Sequence, residues 1–324
     1  MKLSSSFSTL KSPRSLQGAR EGKSGRVSPG KRQVGLFFRR NLSGYLFLLP
    51  ALAIFAFFVW YPLVSGFIIS FQSVDMISPP SWIGWTNYRH VFTDPLFGIA
   101  WRNTLAFTGY ALLFGYLVPI ALALVINEMR HGKGLLRLAF YLPVMLPPIV
   151  TAFLWRWIYN PDSGLLNALL GLFHLPGALW LENPGVALPA LVVVATWGAA
   201  GATMLIYLAA LQGVPASLYE AAEIDGTNLW RRIWHITLPA IRPIMLLMLV
   251  LQIIATMQIF TEPFVITDGG PNNATLTVLL LIYNYSFQNG DFGEASALGM
   301  VLFLVLAVFA LIYMRMTRRA MEGS

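Results

Sequence analysis

Six stretches of this chain, residues 41–74, 103–127, 138–155, 183–219, 243–261 and 295–314, contain no Lys, Arg, Asp or Glu and are rich in Leu, Ile, Val, Phe and Ala. No other feature restricts the fold as tightly. An apolar run of about 20 residues crosses a bilayer as a helix, and backbone immersed in hydrocarbon must satisfy its own hydrogen bonds. With 56% hydrophobic and only 11% charged residues in 324, the chain is predicted to be an all-α integral membrane protein with six transmembrane helices. They fall at about residues 44–71, 103–127, 138–159, 187–213, 241–267 and 295–314, within a domain of residues 43–320. Pro50 and Pro62 predict kinks in the first span, and Pro143, Pro147 and Pro148 predict a broken third.

The charges orient the helices. Ten basic residues lie between Lys2 and Arg40, and Arg130, Lys133, Arg137, Arg231, Arg232, Arg242, Arg315, Arg318 and Arg319 occupy the same side of a six-span threading. The opposite side holds Arg89 and Arg102. Because basic loops stay in the cytoplasm, both termini are predicted cytoplasmic. The net charge of +8 is therefore a topology signal, and nucleic acid is not an expected partner. Residues 1–42, rich in Ser, Gly and Lys/Arg, lack an apolar face and read as a disordered basic tail touching membrane lipid at most. The tail is longer than an ordinary cleaved leader and shows no small-residue cleavage site, so the first span is expected to stay as an anchor. Trp82, Trp85, Phe92, Phe97 and Trp101 after the first span, and the apolar run Gly164–Leu170, suit a membrane interface. The chain has no cysteine, which excludes disulfides and thiolate metal sites.

Between the fourth and fifth spans stands a polar stretch, Glu220-Ala221-Ala222-Glu223-Ile224-Asp225-Gly226, continuing through Ile236, Leu238 and Pro239 to Pro243. Ser217 and Glu220 have capping-box spacing. Gly226 can close a first helix in the left-handed conformation, Thr227 or Asn228 can cap a second, and Pro239 with Pro243 is expected to break the chain before the next span. Two short helices joined at a glycine form a stiff knuckle. The plainer alternative is an amphipathic hairpin lying on the membrane.

The Glu-Ala-Ala, Asp-Gly and Ile-x-Leu-Pro spacing, with Trp155-Arg156-Trp157-Ile158-Tyr159-Asn160-Pro161, Thr267 to Pro271 and Asp291-Phe292-Gly293, resembles permease subunits of carbohydrate-type, binding-protein-dependent ABC importers, such as those of the maltose and glycerol-3-phosphate systems. Thr227 departs from that pattern, which usually has Ala there. The resemblance implies a type I importer permease fold with cytoplasmic coupling helices, in a bacterial inner membrane. It also implies that Glu220, Ala221, Ala222, Asp225, Gly226, Ile236, Leu238 and Pro239 couple this chain to an ATPase dimer, which alone binds and hydrolyses ATP. The permease would then be no enzyme and hold no cofactor. Its other implied partners are a second, homologous permease, an extracytoplasmic solute-binding protein and a sugar.

Polarity alone nominates Trp197, Gly198, Ala199 and Ala202 of the fourth span, with Gln252, Thr256 and Gln258 of the fifth, as a substrate path: uncharged donors and acceptors beside an indole suit a polyol. Close helix packing is the competing account of the small residues Gly198 to Ala202. Arg156, between two tryptophans, reads as a snorkelling interface residue. Gly18 to Ser24 falls one residue short of a phosphate-binding loop, and Asn273-Ala274-Thr275 is a sequon of the kind that arises by chance. His90, His131, His174 and His235 share no ligand spacing, so no metal site is expected. A self-sufficient secondary transporter or channel would call for coupling carboxylates or histidines inside the spans or an internal repeat, and an integral-membrane enzyme for a polar cluster near the interface; the six uncharged runs hold no carboxylate or histidine, and neither a repeat nor such a cluster is found in the sequence.

Overall fold

The computed structural model describes residues 42–322. The expected basic tail and the Gly18–Ser24 stretch thus fall outside the described residues, apart from position 42. The chain divides into two compact units, Met1–Trp60 and Tyr61–Ser324. In the first, helix α1 (Leu42–Phe55) runs into a π-turn at Ala56–Trp60, and the side chains described from Leu46 onward are exposed and almost wholly apolar. Such a surface suits lipid and not water.

The second unit opens with α2 (Tyr61–Ile69) and a two-residue antiparallel ladder pairing Gln72 with Trp82 and Ser73 with Ser81. There follow α3 (Thr86–Thr93), α4 (Pro95–Leu113), α5 (Leu117–Glu128), α6 (Lys133–Tyr141), α7 (Pro148–Ile158), α8 (Leu165–Leu172) and α9 (Pro184–Gln212). The chain continues through α10 (Ala216–Ile224), α11 (Leu229–Arg232), α12 (Leu238–Met257), α13 (Val278–Tyr283) and α14 (Phe292–Glu322). Among the described residues, five helical stretches are long and apolar enough to cross a membrane: Leu46–Ile69, Pro95–Glu128, Pro184–Gln212, Leu229–Met257 and Phe292–Arg315. Lys133–Met145 and Pro148–Ile158 make a sixth only as a pair bent by 101°. The bend has a local cause: Leu146 and Pro147 each precede a proline and are extended, at ψ 137° and 136°.

Two spans differ from expectation. The second begins at Pro95, not near residue 103, because Asp94 caps it through its Oδ1, accepting from the Leu96 amide at 2.7 Å, and Pro95 fits the first helical turn. It is also interrupted at Phe114–Tyr116, around Gly115. The fifth starts at Leu229, inside the polar stretch, and continues past Pro239 and Pro243 without breaking. A π-turn at Ile233–Thr237 leads into Pro239, and side chains take up carbonyls in its neighbourhood, the His235 ring meeting the Arg231 oxygen at 3.0 Å.

Helix α9 is the axis of this unit. Leu188, Leu191, Val192 and Val194 of its first half pack with Phe107 of α4, Ala152 of α7 and Ile266. Met204, Tyr207, Leu208 and Leu211 of its second half pack with Ile120, Ala123 and Ile126 of α5 and with Ile241 of α12. A third cluster joins Ala100 of α4 to Leu280 and Leu281 of α13 and Leu298 and Leu302 of α14. Buried polar groups of α4 fix the irregular chain between α12 and α13. Asn103 donates to the carbonyls of Asn273 and Leu276, at 2.7 and 3.0 Å, and the Thr104 hydroxyl accepts from the Val278 amide at 2.9 Å.

Candidate functional site

The polar stretch is built as a hairpin. Helix α10 ends at Asp225, and Gly226 follows at φ +66°, the left-handed conformation that carries a steric cost for residues with a Cβ. No atom lies within 4 Å of where a Cβ on Gly226 would sit, so backbone conformation alone favours glycine. Thr227 donates its hydroxyl to the Ala222 carbonyl at 2.7 Å, Asn228 caps α11 by accepting from the Arg231 amide at 2.9 Å, and Tyr219 and Thr237 meet through their hydroxyls at 3.2 Å. The expected Ser217–Glu220 capping box does not form. Pro215 holds the N-cap position, which puts Ser217 inside the first turn with no capping hydrogen bond.

Ala222 and Thr237 are buried inside the hairpin, whereas Glu220, Ala221, Asp225 and Pro239 are exposed and Ile236 and Leu238 half-buried. The free face is less polar than its sequence suggests. Ile224 at the tip is 87% exposed, and Trp230 and Trp234 are 70% and 64% exposed. Large apolar groups beside carboxylates on a rigid turn make a surface suited to insertion into a partner's cleft.

The nominated path residues separate into two groups. Trp197, on α9, lines an apolar cavity of about 390 Å³ with Phe114, Val118, Phe140 and Thr196, and its ring meets the edge of Trp155 at 5.7 Å. Beside it, a Cβ on the buried Gly115 would lie 2.8 Å from Gln252 Nε2 and 3.3 Å from Thr196 Oγ1, so these two polar groups converge on the interruption between α4 and α5. Neither side chain has a hydrogen-bond partner among the described residues. Thr256 and Gln258 do not join them. The Thr256 hydroxyl donates to the Gln252 carbonyl at 2.8 Å, and the Gln258 amide donates to the Ile254 carbonyl at 3.1 Å, so both are occupied by their own helix.

Within Gly198 to Ala202, the packing and path accounts apply to different residues. A Cβ at Gly201 would overlap the Phe140 carbonyl oxygen, which makes it a helix-contact residue, whereas nothing lies within 4 Å of one at Gly198. Ala199 is exposed and Ala202 half-buried. The sequence gives no signal for Thr196, and Gly115 is one of two glycines in the run 103–127 with nothing in its spacing to single it out.

The other motif stretches also find a place. Arg156, Tyr159, Asn160 and Pro161 meet Thr267, Gly270 and Pro271, together with Glu182, around a polar cleft of about 420 Å³. It lies toward the start of α9, while the hairpin follows its end, about 44 Å away along 29 residues at 1.5 Å each. Arg156 is exposed there, and the Trp155 ring packs against Tyr159 and Trp197. A Cβ at Gly293 would overlap the Gln72 carbonyl, which explains the small residue where α14 starts against the chain leaving α2.

The chain belongs to the family of binding-protein-dependent transport system inner membrane components, whose model matches residues 111–322. It is 32% identical over 284 residues to a trehalose/maltose transport system permease protein of Thermococcus litoralis, covering 87% of this chain and 96% of the relative. An arabinooligosaccharides transport system permease protein of Bacillus subtilis is 32% identical over 304 residues, covering 91% and 96%. Among solved structures, a bacterial ABC transporter that imports the acidic polysaccharide alginate matches with a TM-score of 0.79 at 28% identity, over 89% of this chain and 99% of that one. A bacterial alginate ABC transporter in complex with an alginate pentasaccharide-bound periplasmic protein also matches with a TM-score of 0.79, at 27% identity over 89% of this chain and 98% of that one. The fold is thus that of an ABC importer permease and the protein is a multi-pass membrane protein.

Proposed function

We propose that this chain forms half of the translocation path of an importer for a sugar or sugar derivative, with a second homologous permease as the other half. The hairpin at residues 217–243 docks into a dimer of partner ATPases, which bind and hydrolyse the ATP, and a solute-binding protein delivers the sugar from outside. Both termini and the hairpin face the cytoplasm, where the basic segments fall together.

The observation that carries this reading is the hairpin itself: its exposed carboxylates, its bare Ile224 and its glycine at φ +66° form a fixed shape turned outward from the described residues. Sugar is the substrate class because the relatives named above carry trehalose, maltose, arabinooligosaccharides or alginate. The half-buried, unpartnered Gln252 and Thr196 also suit hydroxyl groups. Calorimetric screening of the cognate binding protein against maltose, trehalose and arabinooligosaccharides selects the substrate. Proteoliposomes holding both permeases and the ATPases should then accumulate that sugar only with the binding protein outside and ATP inside; accumulation without the ATPases overturns the proposal. Phosphatase fusions at Gly213 or after Arg319 should be inactive in the periplasm, and an active one overturns the orientation.

A further inference from the structure

The hairpin follows α9 directly through residues 213–215, and beyond its tip it is joined to the bundle by two further routes of different stiffness. One is covalent: α11 continues into α12, but through the π-turn at Ile233–Thr237 and past Pro239 and Pro243. Such a segment lacks regular i to i−4 bonding, which is where helices bend. The other route leaves the hairpin before that joint. Arg232, the last residue of α11, holds Glu128, the last residue of α5, with its terminal guanidinium nitrogen 3.0 Å from Oε2. The two side chains are only 22% and 32% exposed, and the Arg232 Nε is buried with no hydrogen-bond partner among the described residues.

Helix α5 is suited to transmit what it receives. Its 12 residues form a rod of about 18 Å. Ile120, Ala123 and Ile126 anchor it against α9, and its far end is the interruption at Phe114–Tyr116 where Gly115 faces Gln252 and Thr196. There Tyr116 donates its hydroxyl to the Met245 carbonyl at 2.9 Å, tying the rod to α12 beyond the joint.

We propose that the Arg232–Glu128 pair is a positioning pair that carries hairpin movement past the π-turn into α5, and so to the polar break facing the candidate path. This rests on the coupling role proposed above. Without the pair, a displaced hairpin bends the π-turn and α5 stays behind. With it, hairpin and rod move together.

The absence of cysteine makes the chain ready for spin labelling. In the complete importer, with its other subunits cysteine-free, labels at Ile224→Cys and Leu311→Cys read the hairpin, and labels at Leu117→Cys and Leu311→Cys read the far end of the rod. All three positions are exposed. Double electron–electron resonance with and without Mg²⁺ and a non-hydrolysable ATP analogue should show both distances shifting in the parent. In Arg232→Ala the hairpin distance should still shift and the rod distance should not. Arg232→Lys should keep the rod shift, and Arg232→Glu combined with Glu128→Arg should restore it. A rod that shifts normally in Arg232→Ala, or a charge swap that leaves the shift absent, overturns the proposal. A parent hairpin that does not respond to nucleotide overturns the coupling role itself, and the proposal with it.

Discussion

The hairpin and the candidate path differ in how their geometry is made. The side-chain hydrogen bonds within the hairpin, Thr227 to Ala222, Asn228 to Arg231 and Tyr219 to Thr237, join residues at most 18 positions apart, and only the Arg232–Glu128 pair reaches far along the chain. The polar break brings together Gly115, Thr196 and Gln252, which lie 81 and 137 positions from the glycine by subtraction. A docking element must keep its shape while its partner moves, so local bonding suits it. A path that opens and closes has to be shared among helices able to separate, and its residues carry no local spacing. Position by position, that difference can be broken.

The largest effect is expected at Gly226. A Cβ there meets nothing within 4 Å, yet a β-branched residue at φ +66° costs about 1–2 kcal/mol or re-aims α11. Uptake and binding-protein-stimulated ATP hydrolysis should fall by about tenfold or more, with near-normal insertion in the membrane. Gly226→Asn, which tolerates the left-handed region, should keep most of both. Equal loss in Asn and Val, measured in the same proteoliposomes, would show that conformation is not what the turn requires.

Next in size is the glycine that was read together with the path. Gly201→Ala drives a methyl into the Phe140 carbonyl and should destabilise the protein by roughly 1–3 kcal/mol. Gly198→Ala, with open space around it, should leave stability unchanged or raise it by up to about 1 kcal/mol through helix propensity. Thermal unfolding in detergent followed by tryptophan fluorescence separates the two. A Gly201→Ala protein as stable as the parent would return that residue to the path.

These two glycines show what the sequence could and could not tell. Uncharged runs mark helices because hydrocarbon leaves a chain little else to form, and Gly226 was legible because a turn after a helix needs a left-handed residue. The helix starting at Pro95 was missed because Arg102 and Asn103 look like loop, whereas Asn103 is buried by bonds to residues 273 and 276, which only the folded chain brings near. Pro239 and Pro243 do not break the chain before the fifth span, since a π-turn lets the helix carry on. Thr256 and Gln258 were chosen for polarity, which does not say whether a side chain turns back on its own backbone.

Within the path, the choice can therefore be sharpened. Gln252→Leu removes an amide with no partner among the described residues, so if it bonds the sugar, uptake below saturation should drop by about 2–10-fold, the worth of one hydrogen bond. Thr256→Val removes a hydroxyl already bonded to the Gln252 carbonyl and should leave uptake near the parent rate. The opposite ranking would restore Thr256 as a substrate contact and place Gln252 in packing.

The smallest effect tests the hairpin's own bonding. Ser217 has the spacing of a cap but stands inside the first turn of α10, behind Pro215, with no capping bond to lose. Ser217→Ala should therefore shift local stability by no more than about 0.5 kcal/mol. Asn228 does cap α11, and Asn228→Ala frees the Arg231 amide at a cost of typically about 1 kcal/mol. Hydrogen exchange resolves the difference. Where exchange proceeds through local opening, 1 kcal/mol speeds it about fivefold, so amides of residues 229–232 should exchange faster in Asn228→Ala, while those of 216–224 should be unchanged in Ser217→Ala. Faster exchange across α10 in Ser217→Ala would mean that the hairpin in the membrane is capped as its spacing suggests and that Pro215 does not hold the N-cap.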